Sequence, residues 1–281
     1  MAKLRRTPLD ATDISSILAV ESDFPFEMSV LARLDELGFR CQHSGTYVDP
    51  VSEKLRQFDI RARMVPAPEH HLYLSVECKN IPPFHPLVVH CVPRRDEEAF
   101  HNLLRYWPMD ARADPMHLVA LETIRHVGDD TLYPRGKAVG KRFDQVGRTQ
   151  EKGAPPQIDD SDIFAKLSQA ASASRDFIHE AGASNVRGLH AVLPILVIPD
   201  GVLWAIDYSS EGAVVAPARS VDRVPYFLGY EYPVNIGVAR TFTLSHLEVI
   251  TFSYLPTFAE MLRPPHPEAF PAAWKPKWAL G

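Results

Sequence analysis

The sequence predicts an α/β fold in which a mixed central sheet is flanked by helices, within a chain of 281 residues. Short runs of apolar and β-forming residues, bounded by prolines, predict the strands. Longer segments with an apolar residue at every third or fourth position predict the helices. Hydrophobic residues make up 46% of the chain, which is ample for a buried core. We therefore expect a single domain, with its core at about 20–92 and 160–262.

Two helices are expected at the start of the chain. The segment 25–39 begins with Pro25, which suits the first turn of a helix, and ends at Gly38, a typical stop. Glu27 lies in the first turn, where the helix dipole favours an acid whatever its function. The segment 9–20 is predicted as a leading helix that packs near the core. Its apolar side consists of Leu9, Ile14, Ile17, Leu18 and Val20.

Two strands should follow, separated by a turn at 66–71. The segment 57–65 alternates between polar and apolar residues, as expected for a half-buried strand. The segment 72–79 is rich in β-forming residues and is flanked by prolines on both sides. Pairing these two segments as a hairpin is the simplest arrangement.

Asp59 in the first of these strands, with Glu77 and Lys79 in the second, forms the most informative pattern in the chain. Side chains on a strand alternate in direction, so Glu77 and Lys79 should share a face about 7 Å apart. The hairpin can bring Asp59 close to Glu77. Two neighbouring carboxylates repel each other unless a cation lies between them, and Mg²⁺ prefers such oxygen ligands. Lys79 could then offset the charge that develops on a phosphate during hydrolysis.

The remaining elements are predicted from the same patterns. A polar helix glutamine, Gln169, could reach the site, although a surface position is the commoner one for this residue type. The predicted elements are, in order, a strand at 87–92, a helix at 96–106 capped by Asp96, a helix at 162–180, a hairpin of strands at 191–199 and 202–206, a strand at 247–252, a closing helix at 255–262 and an extended proline-rich tail at 263–281.

The segment at about 94–159 is predicted as an irregular insertion, because prolines interrupt it repeatedly beyond its opening helix. A basic cluster within it could follow a phosphate backbone, and a solvated surface loop explains the same residues equally well. The cluster consists of Arg135, Lys137, Lys141, Arg142, Arg148 and Lys152.

The order of these features resembles the PD-(D/E)XK nuclease superfamily, which has the restriction-endonuclease-like fold. The resemblance covers a helix with Glu27, a strand with Asp59 and the Glu77-Cys78-Lys79 run, although Phe58 stands where the family name has proline. It implies that Asp59 and Glu77 bind Mg²⁺, with Mn²⁺ as a substitute, and that Glu27 is an accessory ligand. Lys79 would orient the attacking water or stabilise charge. Lys137, Lys141, Arg142 and Gln169 would be substrate-facing or supporting residues.

The resemblance implies a nuclease that acts on nucleic acid, with DNA as the expected substrate, in restriction, defence or repair. A homodimer or another protein partner is left open. The main alternative is a catalytically silent protein of the same fold that binds nucleic acid or a protein. A charged surface hairpin, or an unrelated α/β domain, would also account for the short Glu-x-Lys pattern.

Composition and the absence of other motifs narrow the function further. The net charge is −5, so a basic surface for nucleic acid would have to be local. Three cysteines without metal-type spacing suggest reduced thiols, and no apolar run approaches the length of a membrane span, so a soluble cytoplasmic protein is expected. The sequence lacks the patterns of a phosphate-binding loop, a zinc protease and a serine-hydrolase elbow.

Overall fold

The computed structural model describes residues 8–49, 53–108, 119–129, 131–148, 156–158, 161–183, 186–236, 239–263 and 270. Within these residues the helices are α1 (Ala11–Glu21), α2 (Phe24–Glu36), α3 (Ser161–Ala183) and α4 (Leu255–Met261), with short 3-10 helices at Asp96–Glu98 and Phe252–Tyr254. None of the helices in this part of the chain combines the length and the apolar character needed to cross a bilayer.

The strands are numbered along the chain. They are β1 (Arg40–His43), β2 (Thr46–Val48), β3 (Leu55–Gln57), β4 (Ile60–Ala67), β5 (His70–Cys78), β6 (Leu87–Pro93), β7 (His101–Pro108), β8 (Val119–His126), β9 (Ala138–Gly147), β10 (Gln157–Ile158), β11 (Gly188–Ile198), β12 (Leu203–Asp207), β13 (Arg219–Ser220), β14 (Arg223–Ile236) and β15 (Ala239–Thr251).

The fold is mixed α/β, as predicted, and is dominated by one large mixed sheet. Thirteen of the strands in the described residues belong to it, in the main order β1-β4-β5-β11-β15-β14-β9-β6-β12-β13. Strand β7 pairs with β11 and β8, and β10 pairs with β9, while β2 and β3 form a separate two-stranded ribbon. Strand β4 runs antiparallel to both β1 and β5, and β11 is parallel to both β5 and β15.

Helix α3 crosses one face of this sheet between β5 and β11. The other face of β4 and β5 packs on α2 and α4 through an apolar cluster that includes Val30, Ile60, Leu74 and Phe258. On the α3 side, Ser75 donates a hydrogen bond to the Ala170 carbonyl at 3.2 Å, so helix and sheet approach closely. Since strand residues alternate in direction, Glu77 faces α3 as Ser75 does.

Several predicted elements agree with the structure, and most of their predicted ends lie within four residues of the observed ends. The segment 25–39 forms α2 and stops at Gly38, whose φ of 79° suits glycine. The predicted strand at 72–79 forms β5, although the strand ends at Cys78 and leaves Lys79 just outside. The helix at 162–180 forms α3, and the closing helix forms α4.

The predicted helix at 96–106 is wrong, because the segment forms a single 3-10 turn followed by strand β7. Both Leu103 and Leu104 are fully buried, since β7 lies between β11 and β8 and is covered on both faces. Leu103 and Leu104 are neighbours that pack into different apolar clusters, a pattern that sequence periodicity cannot separate from a buried helix. The segment 94–159 is therefore not simply irregular, since it contributes strands β7 to β10 to the sheet.

The predicted hairpin of 191–199 with 202–206 is also wrong. Strand β12 pairs in parallel with β6, because both edges of β11 over residues 195–197 are already bonded, to β5 and β15. The long strand β14 has no counterpart in the prediction. Helix α1 forms as expected, but Leu9, Ile14 and Leu18 are largely exposed, so they do not pack in the core. The tail at 263–281 lies almost wholly outside the described residues.

Candidate functional site

Asp59 and Glu77 face each other across the β4–β5 pair. Ile60 is the register partner of Val76, so the next pair toward the sheet end is Asp59 with Glu77. Asp59 stands immediately before β4, and its Oδ2 accepts a hydrogen bond from the Cys78 amide at 2.8 Å. Local strand pairing thus brings the two predicted carboxylates together, both of them buried.

The cation between these carboxylates is Lys166 of α3. Its Nζ lies 2.8 Å from Asp59 Oδ2 and 3.4 Å from Glu77 Oε2. Burial opposes the charge on this lysine, but the attraction of Glu77 and Asp59 outweighs it and raises the pKa of Lys166. An ammonium ion therefore occupies the place where two carboxylates demand a positive charge.

Glu77 is the least well compensated member of the group. Its side chain is fully buried, and Oε1 has no hydrogen-bond partner. Burial, followed by repulsion from Asp59, raises the pKa of Glu77 well above its ordinary value despite the attraction of Lys166. A buried carboxylate oxygen without a partner is costly, so this atom marks a place where a further cation or a proton would be favourable.

Glu27 of α2 is a third carboxylate close to Asp59 and Lys166. His43 Nε2 lies 3.3 Å from its Oε2, which fixes the carboxylate in place. Burial and then repulsion from Asp59 raise the pKa of Glu27, while Lys166 and His43 act in the opposite direction. The helix glutamate is therefore within electrostatic range of Asp59 and Lys166, as a supporting ligand would be.

Lys79 lies beside this group, but it does not contact Asp59 or Glu77 directly. Its Nζ forms an ion pair with Asp23 Oδ2 at 3.2 Å, and Asp23 Oδ1 accepts a hydrogen bond from the Asn80 amide at 2.8 Å. Strand β5 ends at Cys78. The alternation of side chains that predicted Lys79 and Glu77 on one face therefore does not extend to Lys79.

The other predicted site residues do not join the Asp59 and Glu77 carboxylates. Gln169 donates its amide to the Gln57 carbonyl and so ties α3 to β3. On β9, Lys141 pairs with Glu98 at 2.7 Å and Arg142 with Asp144 at 2.8 Å. Four strand spacings separate β9 from β5, about 19 Å. Lys137 is exposed just before β9. These three cations are thus remote from the carboxylates.

The donor set suits a divalent cation that keeps much of its water. Mg²⁺ commonly binds proteins through one or two carboxylates and several waters, and Asp59 with Glu77 supplies such a pair. The unpartnered Glu77 Oε1 provides a further oxygen. Within the described ranges no three His, Cys, Asp or Glu side chains gather closely enough to enclose a metal by themselves. Glu27 would thus contribute through water or at longer range.

Three members of the group are absent from the sequence prediction, namely Lys166, Asp23 and His43. Lys166 lies in the first turns of a predicted amphipathic helix. The sequence pattern there does not distinguish a polar residue that faces the site from one that faces solvent. Asp23 precedes Pro25 and has the pattern of a helix cap, yet its side chain makes no capping bond to α2. No sequence signal distinguishes these residues, because only the packing of α2 and α3 on the sheet brings them to the carboxylates.

Comparison with known proteins gives no match to this chain among family models, curated proteins or solved structures.

Proposed function

We propose that the chain is a Mg²⁺-dependent nuclease that hydrolyses phosphodiester bonds of nucleic acid, with DNA as the expected substrate. The observation that carries the proposal is the convergence of Asp59 and Glu77, from two adjacent antiparallel strands, on one shared positive charge. The succession of α2, β1, β4, β5, α3 and β11 adds support, since the resemblance requires the acid and the Glu-x-Lys run on neighbouring strands of a mixed sheet.

In this proposal Asp59 and Glu77 hold the metal and Glu27 assists, with its carboxylate fixed by His43. A bound Mg²⁺ would supply a more acidic water molecule and would polarise the phosphate. Asp23 holds the Lys79 ammonium at the end of β5, beside the carboxylates. Lys79 and Lys166 would then offset the charge that develops on the phosphate oxygens. Both carboxylates are buried from bulk water, which strengthens each of these interactions.

The test is cleavage of plasmid DNA, linear DNA and RNA by the purified chain, with Mg²⁺, Mn²⁺ or a chelator. Asp59→Asn and Glu77→Gln should each lower the metal-dependent rate at least 100-fold, because each removes a charged ligand. Asp144→Asn is the matched control, since Asp144 is also a buried acid on a strand of the sheet but pairs with Arg142 on β9, away from the site. Equal rates for Asp59→Asn and the wild type would refute the proposal.

A binding protein without catalytic activity is the second candidate. The observation that favours it is the Lys166 ion pair, which neutralises part of the carboxylate charge without any metal. In that case the wild type would retain nucleic acid in a filter or gel-shift assay, would cut none of the three substrates, and would bind equally well after Asp59→Asn. Cleavage that depends on Mg²⁺ would exclude this candidate.

A further inference from the structure

We propose that Lys166 is the resident cation of the Asp59 and Glu77 pair, and that a divalent metal ion enters the site by exchanging with its ammonium group. This inference deepens the metal site of the proposed function. It concerns how that site is filled, and it makes no use of nucleic-acid cleavage.

Lys166 occupies the position that a metal ion would take between the two carboxylates. The Lys166 Nζ lies 2.8 Å from Asp59 Oδ2 and 3.4 Å from Glu77 Oε2, so it touches both carboxylates at once. A Mg²⁺ ion bound to the same two oxygens would stand about 2.0–2.1 Å from each. The ion and the ammonium group would therefore compete for one position, and both cannot contact the same pair of oxygens together.

Negative charge exceeds positive charge around the two carboxylates. The group contains four carboxylates, those of Asp23, Glu27, Asp59 and Glu77, against the ammonium groups of Lys79 and Lys166. The single positive charge of Lys166 therefore does not balance the two negative charges of Asp59 and Glu77. The Glu77 Oε1 atom remains without a partner. A divalent ion would bring a second positive charge to this pair, and it could also engage the unpartnered oxygen.

The Lys166 ammonium group is able to leave this position. Its side chain is 18% exposed, and a lysine ammonium is held on a flexible four-carbon stem. After exchange it would lie at the mouth of the site with its charge intact. The carboxylates, by contrast, are fixed by strand pairing and by the Cys78 amide, so they stay in place while the cation changes.

The variants Lys166→Met and Lys166→Arg test this exchange. We expect calorimetry with Mn²⁺ to show at least tenfold tighter binding to Lys166→Met than to the wild type, because the competitor is gone. Lys166→Arg keeps the charge and should bind no more tightly than the wild type. Lys141→Met is the matched control, since Lys141 also pairs with a buried carboxylate, that of Glu98, outside the site. Unchanged or weaker Mn²⁺ binding by Lys166→Met would overturn the inference.

A measurement on the wild-type protein covers the case in which Lys166→Met fails to fold. Lysine acylation followed by mass spectrometry should label Lys166 several-fold faster when Mn²⁺ replaces chelator, while labelling of Lys141 stays constant. Equal labelling of Lys166 in both conditions would overturn the exchange.

These two measurements contain no nucleic acid, so they separate the inference from the nuclease proposal. A chain that exchanges Lys166 for Mn²⁺ but cuts no substrate would refute the nuclease alone. A chain that cuts with Mg²⁺ while Lys166 stays protected would refute the exchange alone.

Discussion

Two fully buried glutamates occupy opposite electrostatic surroundings in the same sheet, Glu77 on β5 and Glu248 on β15. Arg223 donates to both oxygens of Glu248, at 2.8 and 2.9 Å, in a bidentate pair. Glu77 instead shares Lys166 with Asp59 and leaves one oxygen unpartnered. Glu248 is therefore fully paired, whereas the charge of Glu77 is only partly compensated.

This contrast predicts stability effects of opposite sign in the absence of metal. Glu77→Gln should stabilise the protein at pH 7.5 by about 1 to 2 kcal/mol, because it removes a buried charge that folding penalises. Glu248→Gln should destabilise it by about 3 to 5 kcal/mol, because Arg223 would keep a buried charge without its partner. Urea unfolding in the presence of chelator measures both. Destabilisation by Glu77→Gln of the same size as by Glu248→Gln would contradict the argument.

The sign of the pH effect at Glu77 follows from its raised pKa. In the folded protein this carboxyl binds its proton more tightly than in the unfolded chain. Its favourable contribution is therefore complete below the ordinary pKa of 4.5, and it is lost as the pH rises through the folded value. The advantage of Glu77→Gln over the wild type should accordingly grow as the pH is raised from about 4.5.

How much of the site the sequence predicts depends on how local each contact is. Asp59 and Glu77 are predictable, because a short hairpin places them opposite each other. Lys79 is only partly so, since strand alternation ends at Cys78. Lys166 is not predictable, because its role arises from the way a helix far along the chain lies over the sheet. A polar residue on a helix looks the same whether it faces water or a carboxylate.

At the scale of elements, the position of α3 decides whether the site exists. Small side chains face the sheet, and Ala170, Ala173 and Ser174 are fully buried. Two ion pairs fix the same helix to β4, from Arg61 to Asp176 at 2.8 Å and from Arg63 to Glu180 at 2.7 Å. The close packing of α3 on the sheet and these two ion pairs together fix the position of Lys166 relative to the carboxylates.

Enlarging a small residue at this contact should therefore weaken the site as well as the fold. Ala170→Leu is expected to destabilise the protein by about 1 to 3 kcal/mol, because the added volume has to push α3 from β5. It should also make Lys166 more reactive toward acylation in chelator, since the ammonium moves away from Asp59. Ala165→Leu, at an exposed position of the same helix, is the control. Unchanged Lys166 reactivity in Ala170→Leu would show that α3 does not set this distance.

At the scale of the whole molecule, the sequence predicts the fold class and misses part of the topology. The mixed α/β character and the elements α2, β4 and β5 follow from local periodicity, whereas β1, β2 and β3 have no counterpart in the prediction. The width of the sheet does not follow from local periodicity, because strands such as β7 are buried on both faces and pair with strands far along the chain, β11 among them. The choice of β6 over β11 as the neighbour of β12 depends on which edges are free, and that is a property of the assembled sheet.

The core of this wide sheet also contains buried histidines, and they predict how the whole molecule responds to acid. His190 on β11 is buried with its ring between the Tyr73 hydroxyl, 3.2 Å away, and the Val186 carbonyl, 2.9 Å away. Burial lowers the pKa of His190 to about 4, while the Val186 carbonyl acts in the opposite direction and the neighbouring His71 adds to the decrease. The pKa values of His126 and His246 are also lowered, chiefly by burial.

A histidine with a lowered pKa stabilises the fold above its ordinary value of 6.5, and this contribution is lost as the pH falls toward the folded value. His190 alone should therefore remove about 2 to 3 kcal/mol of stability between pH 7 and pH 4.5. His190→Gln, compared with the wild type by urea unfolding at each pH, should flatten the pH dependence by that amount. The contribution of Glu77 has the opposite sign, but it cancels in this comparison because both proteins contain it. A pH dependence as steep in His190→Gln as in the wild type would mean that His190 accepts its proton without unfolding.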